Sequence, residues 1–165
     1  MTFRDLVARP ILLDSNLSVL LCVGLVGMAH IRAHKRLNGQ YDETDFVLLR
    51  LVIERSRRLV VCPNVATETS NLVRQSGIGL RQAAAEMQRR LIKDAQEFYF
   101  ESGLAVDDPD YLRLGVTDAV LLQLRAANQE LVLLTVDLDL YLAGANRSLN
   151  VFNFNHIRNE RADFG

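Results

Sequence analysis

Near its amino terminus the chain reads Ile11-Leu12-Leu13-Asp14-Ser15-Asn16, an unbroken apolar run that ends in an acid. Apolar runs without polar alternation are typical of strands that are covered by helices on both faces, as in parallel sheets. The runs Leu59–Cys62, Leu131–Thr135 and Leu149–Phe154 are interpreted as three further strands. Segments with helical spacing of apolar residues separate them. This alternation predicts an α/β fold with three α/β/α layers around a central, mostly parallel sheet.

The expected helices are recognised by apolar spacing and by residues that favour helix ends. Ser15 or Asn16 is expected to cap the first, Pro63 to open the third and Thr117 to cap the fifth. Helices are predicted over 16–37, from 44 to the basic run at 55–58, and over 63–75, 80–100, 118–128 and 138–145. A turn-rich stretch is expected at 102–110 and a loose polar tail from Asn155.

Length and composition are those of an ordinary folded protein. With 165 residues, 49% of them hydrophobic and 24% charged, the chain suits one domain over 1–165, with its core at about 10–154. The net charge of −1 provides no overall attraction to nucleic acid. Arginine accounts for 17 of the 19 basic residues, which suits phosphate binding but equally suits a GC-rich genome.

The predicted location is the cytoplasm. Cys22 and Cys62 lie in apolar stretches without a nearby partner and are interpreted as buried free thiols. The first nine residues lack the layout of a signal peptide. The apolar segment 17–31 is shorter than the ~20 residues that a bilayer span needs, so no membrane association is expected.

Four acids occupy positions that a parallel sheet would bring to one edge. Asp14 and Asp137 directly follow strands, Asp118 begins a helix, and Glu68 lies one turn into a helix that follows a strand. Ligands of such sheets bind beyond the carboxyl ends of the strands. Clustered carboxylates repel each other unless a cation is present. The pattern therefore predicts a site for Mg²⁺ or Mn²⁺, and metal chemistry of this kind commonly acts on phosphodiesters.

For two of these acids, Asp118 and Asp137, the sequence also allows another interpretation. Asp118 beside a threonine is also an ordinary helix-start residue. Asp139 competes with Asp137, but it lies about 200° further round a helix and is expected to face solvent. His30 and His34 have the i, i+4 spacing of a metal pair, yet packed or surface histidines are the favoured interpretation.

The motifs in this order resemble the PIN-domain family of small metal-dependent nucleases, many of which are the ribonuclease toxins of bacterial toxin–antitoxin pairs. The resemblance covers roughly residues 10–154 and is carried by Asp14-Ser15-Asn16, Pro63…Glu68…Asn71, Thr117-Asp118-Ala119, 134–137 and 151–154. It implies RNA cleavage with Mg²⁺ or Mn²⁺, frequent homodimerisation and an antitoxin protein as partner. Asp14, Glu68, Asp118 and Asp137 match the family's acidic quartet.

Other residues have supporting roles in this interpretation. Asn16 and Thr135 match the polar residues that commonly support the quartet in PIN domains. Basic residues near two predicted helix ends could follow an RNA backbone or could simply be solvated: Arg32, Lys35, Arg36, Arg55, Arg57 and Arg58. Phe98, Tyr99 and Phe100 are expected to belong to a core or an interface rather than to a platform on which bases stack.

Two further functions remain as alternatives. A catalytically silent PIN-like scaffold would bind RNA or a protein, but it would have little reason to keep four convergent acids. A flavodoxin-like regulator that binds a nucleotide or phosphate would be expected to carry a glycine-rich phosphate loop, and the sequence has none.

Overall fold

The computed structural model describes residues 8–162. In chain order its elements are β1 (Pro10–Leu13), α1 (Ser15–Val26), α2 (His30–Ala33), α3 (Glu43–Arg55), β2 (Arg58–Val61), α4 (Pro63–Val73), α5 (Ile78–Asp94), β3 (Gln96–Glu97), α6 (Ser102–Ala105), α7 (Tyr111–Leu114), α8 (Val116–Ala127), β4 (Val132–Thr135), α9 (Leu138–Asn146), β5 (Val151–Asn153) and α10 (Phe154–Ala162).

The five strands form one parallel sheet in the order β3-β2-β1-β4-β5, and helices cover both of its faces. The predicted fold class, α/β with three layers, is confirmed. Ile11 of β1 lies opposite Leu59 of β2 and Val132 of β4. Since all strands point the same way, their carboxyl ends meet at one edge, called here the carboxyl edge.

Alternate residues of β1, β2, β4 and β5 enter different cores, as the period of two requires. Ile11 and Leu13 pack in one core with α1, α3, part of α5 and the start of α10. Leu12 and Leu133 face the other, with α8 and α9. Cys22 and Cys62 are buried free thiols, as predicted. Within residues 8–162 no helix combines the length and the apolar character needed to cross a membrane.

The first helix is shorter than predicted. It ends at Val26, because Gly27 adopts an extended backbone, and a separate short helix, α2, follows. Gly24 explains how α3 packs so closely here, since a Cβ at this position would lie 2.1 Å from Cδ2 of Phe46. The apolar run that suggested one helix to residue 37 is thus divided at Gly27, because glycine has low helix propensity.

The predicted helix over residues 80–100 is wrong at its carboxyl end. Helix α5 stops at Asp94 and the chain enters the two-residue edge strand β3. The backbone N–H of Phe98 then donates to the Val61 carbonyl at 2.8 Å. Phe98 and Phe100 pack against the second core, so the strand-like period of two replaces the helical period here.

Three helix starts also differ from the predictions. Asp14 itself caps α1, where Ser15 or Asn16 was expected, and accepts from the N–H of Leu17. Helix α3 has Asp42 as its cap, in a capping box with Asp45, so it begins earlier than residue 44. Gly115, at φ 86°, replaces Thr117 as the residue preceding α8.

The carboxyl-terminal segment is ordered into a helix, contrary to the loose tail predicted from Asn155. The α10 residues Phe154 and Ile157 pack into the first core. Arg158 donates to both carboxylate oxygens of the buried Asp45 on α3, at 2.9 and 2.8 Å. This pairing fastens α10 to α3. The end of the predicted tail, 163–165, lies outside the described residues.

A buried ion pair holds the predicted turn-rich stretch, which also contains α6. Both oxygens of Asp108 accept from the Arg147 guanidinium at 2.7 Å, in a bidentate pair. Gln123 of α8 and the N–H of Asp110 also donate to this carboxylate. The Arg147 guanidinium holds the pKa of Asp108 at about 2. Residues 102–114 are thereby fixed to α8 and to the turn after α9.

Candidate active site

Asp14 sits at the carboxyl edge, where β1 meets β4, and is only 4% exposed. Its Oδ1 accepts from the N–H of Leu17 at 2.8 Å. Its Oδ2 accepts from Thr135 Oγ1 at 2.5 Å and from the N–H of Val136 at 2.8 Å. Burial raises its pKa, and the charge of Asp137 adds to that rise, while the three hydrogen bonds oppose it. Asp14 is thus a fixed carboxylate.

Thr135 connects Asp14 to Asp137. Its hydroxyl donates to Asp14 and accepts from the N–H of Asp137 at 2.9 Å. Asp137 is exposed and caps α9, because its Oδ1 accepts from the N–H of Leu140 at 2.9 Å. The side chain of Thr135 therefore sets the geometry of the β4–α9 turn that carries Asp137.

Glu68 reaches the carboxyl edge from α4. Its Oε2 accepts from Ser15 Oγ on α1 at 2.5 Å. Ser15 follows Asp14 directly, so this hydrogen bond places Glu68 beside the start of α1. The Glu68 side chain is exposed, which leaves its other oxygen open to solvent.

Asp118 lies in the first turn of α8 and is half-buried. Within residues 8–162 no hydrogen bond to its carboxylate is present in the structure, unlike the other three acids. Burial and then, in this order, the charges of Asp137, Asp14 and Glu68 together raise its pKa to about 7. All three predicted partner acids therefore lie close enough to repel Asp118. Four separate segments of the chain thus bring these carboxylates to one edge.

Asp139 occupies a different environment from Asp137. It is exposed, as expected, and its Oδ1 lies 3.2 Å from Nη1 of Arg113 on α7. Arg113 also pairs with Asp110 at 2.9 Å. Asp139 is thus neutralised by a cation, whereas Asp137 is among the acids that repel Asp118.

The donor chemistry of the cluster fits a hard divalent cation, since it consists of carboxylate oxygens, and a cation would offset their mutual repulsion. The four carboxylates are, however, widely spaced. In the described part of the chain no three His, Cys, Asp or Glu side chains are grouped closely enough to hold one ion. Mg²⁺ usually keeps several waters and uses one or two carboxylates, so this spacing is compatible with ligation partly through water.

Within residues 8–162, Asn16 makes no hydrogen bond to the four acids. Its Oδ1 accepts instead from Nε of Arg36 at 2.9 Å. Arg36 is exposed, as are Arg32 and Lys35 of the same predicted basic group. Because Asn16 lies at the start of α1, this pair brings a cation toward the carboxyl edge.

The second basic group lies elsewhere. Arg57 and Arg58 stand at the start of β2, and Arg57 pairs with Glu130, which precedes β4, at 3.2 Å. Arg55 ends α3 just before them. A four-residue strand is ~13 Å long, so these residues lie at the opposite edge of the sheet from the acids. An RNA that contacted both these residues and the acids would have to extend from one edge of the sheet to the other.

Several contributors to the site were not predicted. Ser15 was expected only as a helix cap, yet it positions Glu68. Tyr41 is 8% exposed, and burial raises its pKa, with the charge of Asp14 as the next cause. Its position near Asp14 depends on the irregular segment between α2 and α3, for which the sequence has no pattern. Asn153 accepts from the N–H of Asn155 at 2.9 Å and so caps the turn after β5.

Comparison with known proteins adds no relative to this description. No protein-family model matches the chain, and no curated protein is significantly similar to it in sequence. The functional assignment therefore depends on the chemistry of the site itself.

Proposed function

We propose that this protein is a PIN-type ribonuclease that uses Mg²⁺ or Mn²⁺ to cleave RNA phosphodiester bonds. The observation that carries the proposal is the set of charges around Asp118. Asp137, Asp14 and Glu68, from three other segments, all raise its pKa, so the fold gathers four acids without a compensating hydrogen bond to the central one within the described residues. A divalent cation is the counter-charge that such a set suits.

Asp14, Glu68, Asp118 and Asp137 would hold the metal, directly or through water. When bound, the metal would lower the pKa of a water molecule and neutralise charge on the phosphate. Asp14 is held by three donors, so it would be a fixed ligand. Thr135 and Ser15 would act as positioning residues, because each orients one of the acids through a hydrogen bond.

The basic residues would have unequal roles. Arg36 would follow the RNA backbone, since its partner Asn16 lies at the same edge of the sheet as the acids, with Arg32 and Lys35 nearby in sequence. Arg55, Arg57 and Arg58 lie at the other edge and are not included in the proposed RNA-binding surface. A toxin–antitoxin setting, a homodimer and a cytoplasmic location stay predictions. A small antitoxin-like reading frame beside the gene would support the first.

Incubation of the purified protein with labelled single-stranded RNA tests the function. We expect cleavage with Mg²⁺ or Mn²⁺, no cleavage with a chelator, and loss of cleavage in Asp118→Asn. Cleavage that persists after exhaustive chelation, or in the variant, would overturn the metal mechanism. A folded protein that binds RNA but cleaves none under any condition would be the silent scaffold.

A further inference from the structure

An exposed aromatic ring stands beside the acids. The Tyr99 side chain is 74% exposed, although its neighbours Phe98 and Phe100 are both packed against the second core. The backbone of Phe98 is hydrogen-bonded to Val61 at the carboxyl end of β2. Two partly buried neighbours and an edge strand therefore hold the ring outward at the carboxyl edge. Of the two roles predicted for Tyr99, core or interface, its exposure excludes the core.

The ring lines a groove that leads to the acidic site. The groove has a volume of about 410 Å³, and Glu68 and Thr117, the neighbour of Asp118, also line it. This volume is in the range of small-ligand sites. Its other walls include Asn64, Asn71 and Ser102. A molecule held here would lie directly beside the proposed point of cleavage.

The chemistry of the lining favours a base over a phosphate. Among the described residues that line the groove there is no lysine or arginine to pair with a phosphate. Amide and hydroxyl groups both donate and accept, so they can pair with the edge of a base. A tyrosine ring can stack on the face of any base.

The groove continues toward cations that could receive the next phosphate. Thr67 and Asn71 line both this groove and a neighbouring one, whose walls include Arg89 and Lys93 of α5. Both basic side chains are exposed; Arg89 also pairs with Glu86 at 2.8 Å, whereas no ion pair of Lys93 is present within residues 8–162. An RNA strand with a base against Tyr99 could thus pass its backbone to these two cations.

We infer that the groove is a base-binding subsite, in which an unpaired base of the RNA stacks on Tyr99 beside the cleaved bond. This inference depends on the proposed ribonuclease function and adds a requirement for an unstacked nucleotide next to the acids. A base inside a duplex cannot reach the ring, so the subsite selects single-stranded RNA.

Single-turnover cleavage of a 12-nucleotide single-stranded RNA, over a range of protein concentrations, tests the inference. Tyr99→Leu should raise the half-saturating concentration about tenfold, the loss expected for one stacked base, and leave the rate at saturation nearly unchanged. Tyr99→Phe should behave as the wild type. Ile78→Ala is the matched control, because Ile78 is 72% exposed but does not line the groove.

An abasic residue walked along the RNA supplies a readout that a structural role would not give. At one position the abasic residue should raise the half-saturating concentration of the wild type as much as Tyr99→Leu does. It should have no further effect on the Tyr99→Leu variant. Additive losses at every position, or an unchanged half-saturating concentration in Tyr99→Leu, would overturn the subsite while wild-type cleavage upholds the ribonuclease. A wild type that cleaves no RNA would overturn both.

Discussion

Thr135 Oγ1 donates to Asp14 Oδ2 at 2.5 Å, and this contact joins the ends of β1 and β4 beneath the acidic cluster. Thr135 is fully buried, and its hydroxyl also accepts from the N–H of Asp137. One side chain therefore fixes two of the four acids, which come from segments more than a hundred residues apart.

Replacement of Thr135 by valine should lower the free energy of unfolding by about 1–3 kcal/mol, because a buried donor and acceptor are lost together. The activity should fall as well, since Asp14 and Asp137 lose a shared partner. Thr135→Ser keeps the hydroxyl and should restore most of both. Urea unfolding and cleavage assays measure the two effects; equal activity in the valine and serine variants would contradict the positioning role.

Asp118→Asn should stabilise the metal-free protein at pH 8, on the order of 1–2 kcal/mol after allowance for partial exposure. The folded-state pKa of Asp118, about 7, lies above the unfolded value of ~3.9. Its carboxyl group therefore costs no stability below pH 4, and the cost grows until the pH passes about 7. Thermal unfolding with a chelator at pH 4 and pH 8 should show the gain only at pH 8.

Asp14→Asn is the matched comparison for that experiment. Asp14 accepts from two backbone N–H groups and a hydroxyl, and an amide nitrogen cannot accept. This variant removes a buried charge but also an acceptor of these hydrogen bonds, so at pH 8 it should gain less stability than Asp118→Asn. A stability loss in Asp118→Asn would show that its carboxylate has a stabilising partner.

Four of the five strands were predictable, and with them the edge at which the acids were expected. Unbroken apolar runs indicated these parallel strands; Asp14 directly follows β1, and Asp137 lies two residues after the end of β4. Each prediction needed only local spacing and the rule that parallel strands share a carboxyl edge.

The features that escaped prediction depend on distant contacts or on very short elements. The strand β3 has two residues, too few for a period to be visible. Arg147 pairs with Asp108, 39 residues away, and no local pattern marks either as the partner of the other. The outward position of Tyr99 depends on β3, so it could not be predicted from the sequence either.

Asp137→Asn should slow cleavage by about a hundredfold or more, since it removes a carboxylate from the proposed metal site. Asp139→Asn should have a small effect, because Asp139 pairs with Arg113 on the surface. Single-turnover cleavage of one RNA by both variants at saturating Mn²⁺ measures the difference. A larger loss of cleavage rate in Asp139→Asn would show that Asp139, and not Asp137, belongs to the metal site.

The Asp108–Arg147 pair should make the fold sensitive to acid. The pKa of Asp108 is lowered to about 2, so its contribution to stability is present above its unfolded value of ~3.9 and is lost as the pH falls through about 2. Arg147→Met should cost about 3 kcal/mol at pH 7, because it leaves a buried carboxylate unpaired. It should also flatten the decline in stability between pH 4 and pH 2.

Urea unfolding of Arg147→Met at several pH values measures both effects. Arg50→Ala provides the control, because Arg50 and its partner Glu54 are both more than half exposed, and its loss should be much smaller. Equal losses in the two variants would argue against the buried pair as the anchor of residues 102–114.

Calorimetric titration of the metal-free protein with Mn²⁺ tests the central claim, that the four carboxylates form a divalent metal site. The wild type and Asp139→Asn should bind Mn²⁺ with the same affinity, and Asp118→Asn should bind at least about tenfold more weakly. Undiminished binding in a folded Asp118→Asn variant, or no saturable binding in the wild type, would contradict the claim.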